Sequence, residues 1–497
     1  MNQVRYLLSL ILVFSVSCVY AQGKEQRRPS FEELKEGAPV SGVIHTVGAG
    51  ADEFWQTFYF EVPDNSAAFR VWLSGAKGDL DLYLQQGEPI EDYSQVQWYS
   101  EMDYWNEEIQ VHSLYADNLA QDFWYIDVAY ALDSYPRGTD GRILEELAFQ
   151  LHIEFLPLSF EAELQPNQPV LATLDPKWSA VSWFSLEIDQ PIETLRIDAF
   201  DTDGDIDLLL SRNPLTTHDQ ALVVSESIVG SETLIYKPQQ GITEGTYYLL
   251  ALDAYSDLDP IDLSLVVSYS EDPPQILQNP IEPILDNIGP QDVPMGATVQ
   301  IIADSAWGTG SIVSEDGWIL TNDHVVRGLD GELLDSVIVA VVTDPNYPPK
   351  ETFRARVVAG QEHPDLALLK IEEGIYGQAL PTDYRFPYWK WGSSSNLALG
   401  DAVFVVGFPS IGASGSRPIY SFTRGYLAGI EKNALGSTLI TDTLISGGSS
   451  GGALTTGNGE LMAIPSFTIE DAAGQMAFAL SLDQVPAAWK VLININD

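Results

Sequence analysis

The strongest constraint on the fold is a pattern of short, largely alternating segments that occurs twice. Phe58-Tyr59-Phe60-Glu61-Val62, Phe69-Arg70-Val71-Trp72-Leu73 and Leu80-Asp81-Leu82-Tyr83-Leu84 carry the period of a strand with one face in a core. One domain later residues 184–188 match 58–62, Leu195-Arg196-Ile197 matches Phe69-Arg70-Val71, and Gly204-Asp205-Ile206-Asp207-Leu208 matches Gly78-Asp79-Leu80-Asp81-Leu82, in gapless register. Trp124-Tyr125-Ile126-Asp127-Val128 and Tyr247-Tyr248-Leu249-Leu250-Ala251 also correspond. The regularity predicts a tandem duplication of one antiparallel β-sandwich, at roughly residues 38–157 and 158–270.

The run Asp201-Thr202-Asp203-Gly204-Asp205-Ile206-Asp207 invites a calcium reading, because alternating carboxylates can surround a hard cation. Its glycine and the missing glutamate do not fit an EF-hand loop, and the first copy keeps only Asp79 and Asp81. Carboxylates that cap turn N–H groups are the favoured reading, with Asp205 and Asp207 on one strand face. No other cofactor is called for. A proline-rich linker, residues 271–293, separates the sandwiches from a C-terminal domain at 294–497.

That domain holds the stretch Ser446-Gly447-Gly448-Ser449-Ser450-Gly451-Gly452-Ala453-Leu454. A Gly/Ser cluster is more often a loop than a nucleophile. Glycines on both sides of a serine, however, permit close approach to a carbonyl and leave backbone N–H groups bare. The register Gly-x-Ser-Gly-Gly selects Ser450, with the N–H groups of Gly448 and Ser450 as oxyanion donors. A base must come from His324 or His363, the histidines of this domain. His324 follows two apolar segments joined by a Glu315-Asp316-Gly317 turn, and His363 lies in the polar turn Glu362-His363-Pro364-Asp365. Asp365 leads the apolar strand Leu366-Ala367-Leu368-Leu369-Lys370-Ile371. A carboxylate at that strand mouth can orient the imidazole of His324.

The segments TGSIVSEDGWILTNDHVV, HPDLALLKI, LGDAVFVVGFP and TDTLISGGSSGGAL, in that order, resemble the trypsin-like protease domain of the HtrA/Do family. The resemblance implies a chymotrypsin-like double β-barrel with His324 as general base, Asp365 as its orienting partner and Ser450 as nucleophile. It sets Leu444 at the base of the primary specificity pocket, six residues before Ser450. No carboxylate stands there for basic specificity, so small or medium aliphatic residues are expected before the scissile bond. Asp442 is read as loop support, and Asp323 should point away from His324 if its segment is extended. No PDZ domain follows. The family's trimerisation through residues ahead of the protease implies a homo-oligomer, but here two extra domains and a linker occupy that place. The Gly-Asp-x-Asp-Leu core with an aromatic-rich later strand resembles the bacterial pre-peptidase C-terminal (PPC) domain, a jelly-roll-like sandwich, although here both copies precede the protease. The whole chain is therefore expected to be all-β: two tandem jelly-roll-like β-sandwiches followed by the double barrel.

Composition narrows the setting. A formal net charge of −47, with about two thirds of the acidic residues before Pro294, would repel nucleic acid and anionic lipid and argues against both as partners. Protein or peptide substrates remain. Arg5 followed by the apolar run 6–16, with Val19-Tyr20-Ala21 ahead of Gln22, reads as a signal peptide cut after Ala21. Residues 22–37 then form a flexible leader, and the product is secreted or periplasmic. Lipoprotein processing at Cys18 is disfavoured by Ser15, three positions earlier. Cleavage after Ala21 removes the single cysteine and with it any disulfide. No later run is long enough to span a membrane. Two other readings stay open: a catalytically idle or gated binding protein that attaches through its acidic sandwiches, and an esterase, which the His-Asp-Ser order opposes.

Overall fold

A computed structural model describes residues 30–46, 55–101, 107–116, 118–130, 145–178, 181–202, 204–227, 230–254, 260–279, 281–284, 293–303, 306–410, 418–471 and 474–495. The expected signal peptide, Cys18, the first half of the leader and Asp203 lie outside these residues, while the leader's second half is held in place: Glu32–Glu33 pairs with Phe58 and Tyr59, and Leu34 is buried. The chain divides into two compact units, residues 1–61, 71–109 and 122–153, and residues 62–70, 110–121 and 154–497. It is mostly β. The α-helix among the described residues is Ala487–Ile493, closed by Asn494 in the left-handed conformation, and no helix there is long and apolar enough to cross a membrane.

In the first unit a five-stranded sheet runs in the order Glu32–Glu33, Trp55–Phe60, Trp124–Tyr130, Leu80–Gln86, Trp98–Ser100. The second unit repeats it strand for strand as Ala162–Leu164, Val181–Ile188, Gly245–Asp253, Ile206–Ser211, Val223–Ser225. In both, the first pair is parallel and the second antiparallel. A four-stranded sheet, Val170–Leu174, Ile261–Ser268, Leu195–Phe200, Glu232–Tyr236, faces the second of these. Its first pairing recurs in the first copy as Val40–His45 against Glu146–Pro157. Phe184, Leu186, Leu208, Leu249 and Leu265 fill the core between the second copy's sheets, each fully buried side chain contributing about 1.5–3 kcal/mol.

Both copies also bury carboxylates. Glu107 accepts a hydrogen bond from Ser100 Oγ, and its counterpart Glu232 accepts from Ser225 Oγ and Ser227 Oγ. Burial, then the neighbouring charges of Asp79, Glu101 and Glu107, raises Asp81 to about 7. Burial, then Glu226, Glu232 and Asp253, raises Asp207 to about 8. Among the described residues no group of three or more His, Cys, Asp or Glu side chains could hold a metal ion.

The C-terminal part forms two closed six-stranded barrels, a chymotrypsin-like arrangement. The first runs Thr298–Ala303, Ala306–Ile312, Trp318–Thr321, Leu366–Gly374, Lys350–Gln361, Ser336–Val341. The second runs Glu460–Asp471, Ala453–Thr455, Ala402–Gly407, Ser421–Asn433, Gly436–Thr441, Gly474–Ser481, closes by pairing its first and last strands, and carries Lys390–Trp391 at its side. The Glu315-Asp316-Gly317 turn joins antiparallel strands as expected, with Gly317 at φ +89°.

Asp81 and Asp207 yield a prediction about pH. A carboxyl whose folded pKa is raised binds its proton more tightly in the native chain. Its stabilisation is therefore full below the ordinary carboxylate range and lost as pH rises through about 7 for Asp81 and about 8 for Asp207. Denaturant titrations should show stability falling between about pH 4 and 8, and Asp207→Asn should flatten that slope by on the order of 2 kcal/mol after discounting for solvent screening. A variant with an unchanged slope would contradict the assignment.

Candidate active site

The first barrel supplies His324 and Asp365. Strand Trp318–Thr321 leads through Asn322 into a short 3-10 turn, Asp323–Val326, and that turn leaves His324 exposed. Because the segment is a turn and not extended, Asp323 leaves His324 for another reason than strand alternation: its Oδ2 accepts Arg327 Nε at 2.6 Å. Asp365 stands just ahead of strand Leu366–Gly374 with φ +71°, a left-handed conformation rare for a non-glycine residue. Its N–H donates to Gln361 O at 3.0 Å, and its own carbonyl accepts Asn322 Nδ2 at 2.8 Å. So fixed, its carboxylate takes three donors. The His324 amide reaches Oδ1 at 3.1 Å, His324 Nδ1 reaches Oδ2 at 2.9 Å and Oδ1 at 3.1 Å, and Ser466 Oγ donates to Oδ2 at 2.5 Å.

The second barrel supplies Ser450, between Gly448 at φ +87° and Gly451 at φ +85°. Ser450 Oγ donates to the Ser466 carbonyl at 3.1 Å, and no hydrogen bond joins it to His324 among the described residues. The structure thus brings His324 and Asp365 into direct contact and links Ser450 to them through Ser466. Ser466 was not singled out in the sequence. Its only local signal is a small polar residue within the apolar strand Glu460–Asp471, buried all the same.

Thr309, on the first barrel, holds the Ser450 loop. Its N–H donates to Ser450 O at 2.8 Å, its Oγ1 donates to Gly448 O at 2.7 Å, and the same Oγ1 accepts the Phe408 N–H at 3.0 Å. Its carbonyl accepts Thr321 Oγ1 at 2.7 Å. A Cβ on Gly451 would lie 2.0 Å from Thr309 O and 2.1 Å from Thr321 Oγ1, closer than any side chain can approach. The N–H groups of Gly448 and Ser450 have no acceptor among the described residues, an arrangement suited to receiving an oxyanion.

Leu444 is 56% exposed and lines a shallow recess of about 50 Å³ with Thr423, Ser446 and Ser449. Asp442 Oδ1 accepts the Tyr426 N–H at 2.6 Å, so that carboxylate braces the neighbouring strand. In the second sandwich Asp201 is exposed at φ +51°, Asp205 is buried and Asp207 lies on the strand after it.

Residues 308–464 match the family model described as a trypsin-like peptidase domain. The serine endoprotease DegS of Haemophilus influenzae is 31% identical over 187 residues, covering 35% of this chain and 47% of that protein. A DegP-like periplasmic serine endoprotease of Pseudomonas putida is 31% identical over 182 residues, covering 35% of this chain and 32% of that protein. A solved serine endoprotease from Yersinia pestis aligns at 29% identity and a TM-score of 0.31, over 40% of this chain and 64% of that one. The chain spans less than half the length of the two curated relatives.

The Thr309 contacts make two substitutions informative. Gly451→Ala should cost on the order of 2–4 kcal/mol, through steric overlap and positive φ. Thr309→Val, which keeps the shape and removes the hydroxyl, should cost about 1–3 kcal/mol by stranding Gly448 O and the Phe408 N–H. Both are read from urea unfolding midpoints, and wild-type values would refute the clamp. Residues 308–464 of this chain are thus similar to trypsin-like peptidase domains, among them those of DegS- and DegP-like serine endoproteases.

Proposed function

We propose that the chain is a secreted or periplasmic serine endopeptidase that cleaves unfolded or exposed protein segments, and that His324, Asp365 and Ser450 are its catalytic residues. The observation that carries the reading is the Asp365 carboxylate bonded to His324 Nδ1 at 2.9 Å. That bond leaves Nε2 as the basic nitrogen and stabilises the imidazolium formed when it takes a proton. Ser450 Oγ turns from the Ser466 carbonyl to Nε2, loses its proton there and attacks the scissile carbonyl. His324 then returns the proton to the leaving amine. The N–H groups of Gly448 and Ser450 hold the oxyanion, and losing one such donor costs roughly 10²–10³ in turnover. Leu444, which offers no carboxylate, favours small or medium aliphatic residues before the cleaved bond.

The same reading assigns residues 1–21 to a signal peptide, 22–37 to a leader, 38–157 and 158–270 to PPC-like sandwiches, 271–293 to a linker and 294–497 to the protease. The periplasmic naming of the Pseudomonas relative supports the compartment. One observation favours a second reading, a gated or idle enzyme: Ser450 Oγ is engaged by Ser466 O, so the nucleophile must first be released.

Purified mature chain treated with a fluorophosphonate probe and offered unfolded casein separates the two. The endopeptidase reading predicts labelling and cleavage, both abolished in Ser450→Ala. Labelling that appears only when casein is present indicates gating by substrate. No labelling under either condition overturns the reading.

A further inference from the structure

A second concave site lies away from Ser450, where the loop after strand Leu195–Phe200, residues 276–279 and 281–284, and the first barrel meet. Its volume is about 480 Å³, within the range of small-molecule sites. It adjoins Lys350 and Glu351 at the start of strand Lys350–Gln361 and Ile375 just past the end of strand Leu366–Gly374. The other ends of these strands flank Asp365, roughly 30 Å away at about 3.3 Å per residue, so the cavity is not part of the catalytic site.

Its walls are tied together. Gln378 Nε2 donates to Leu277 O at 2.8 Å and Gln278 Nε2 to Tyr376 O at 3.1 Å. Glu351 accepts the Gly230 N–H at 3.2 Å and Ser231 Oγ at 3.3 Å. The site is therefore built before any ligand arrives, which limits the ordering cost of binding. Leu277, Ile281, Val341 and Val342 are buried and make an aliphatic interior. Burial, then the charge of Asp198, raises the Tyr376 phenol, so it faces the cavity as a neutral hydroxyl.

The charges at the cavity are unbalanced. Asp201, Glu282 and Glu351 bring three carboxylates against the single ammonium of Lys350 among the described lining residues. Asp201 and Glu282 take part in no ion pair among the described residues. Asp201 and Glu282 are exposed at the rim, so an apolar interior beneath an excess of negative charge favours a ligand with an aliphatic body and a cationic end, the charge drawn to the rim carboxylates.

We propose that this cavity is a binding site for a primary aliphatic ammonium, with Asp201 and Glu282 pairing the charge and the Leu277, Ile281 and Val341 side chains packing the chain. The proposal goes beyond the protease reading and is read by binding, not by cleavage, so either can fail without the other.

Calorimetric titration of the full mature chain with n-octylammonium tests it, with n-octanoate and n-octanol as charge-reversed and neutral probes. The expected result is saturable one-to-one binding of n-octylammonium, at least about tenfold tighter than either control. Glu282→Lys, on the exposed rim, should weaken it by about tenfold or more without moving the unfolding midpoint, and Asp201→Asn should weaken it in the same direction. Binding of a Leu-Leu-Lys peptide amide alongside n-octylammonium would assign the site to lysine side chains, and n-octylammonium alone to free amines. Absence of saturable binding, equal affinity for n-octanoate, or wild-type affinity in both variants would overturn the proposal.

Discussion

The site depends on hydrogen bonds that cross from one barrel to the other. His324 and Asp365 belong to the first barrel, Ser450 and Ser466 to the second, and neither barrel holds a complete set. Thr309 fixes the Gly448 and Ser450 carbonyls from the first-barrel side. Ser466 returns a hydroxyl to Asp365 at 2.5 Å from the second. Both contacts are partly buried, each with one buried partner, Thr309 or Ser466, and there an unmade hydrogen bond is more costly than a made one is favourable. The relative placement of the barrels is thereby tied to the satisfaction of polar atoms around Ser450. Gly451 has to be glycine for the same reason: the Thr309 and Thr321 oxygens stand where its Cβ would be.

Much of this was legible in the chain. The duplicated strands were readable because residue identities repeat in gapless register, and the two five-stranded sheets have the same order. His324, Asp365 and Ser450 could be picked out because each sits at a punctuated strand end, and the structure brings the first two into contact. Ser466 and Thr309 were not legible. Each is a small polar residue inside an apolar strand, and its role exists only once distant strands pack: Ser466 lies 101 positions from Asp365, and Thr309 139 positions from Gly448. The same limit explains Asp81 and Asp207. Alternation set Asp207 on a strand face, but nothing local indicated that Glu107, just ahead of strand Glu108–His112, and Glu232, on strand Glu232–Tyr236, would be buried near Asp81 and Asp207.

Acidity therefore has two physical meanings here. Most of the negative charge is solvated and sets how the chain interacts at long range. A smaller part is buried in matching positions of both sandwiches, where Asp81 and Asp207 hold their protons well above the ordinary carboxylate range. The first kind is visible in composition; the second emerges only from sheet packing. A protein built this way is expected to be at its most stable in mildly acid solution.

The central claim is that Ser450 is activated by an imidazole held in one tautomer by Asp365. The most direct measurement is the second-order rate of fluorophosphonate labelling in wild type and in Asp365→Asn, which keeps the side-chain shape while removing the charge. The account predicts that the variant folds with an altered His324 tautomer and labels more slowly by roughly 10³–10⁴. An Asp365→Asn variant that labels at the wild-type rate would contradict it.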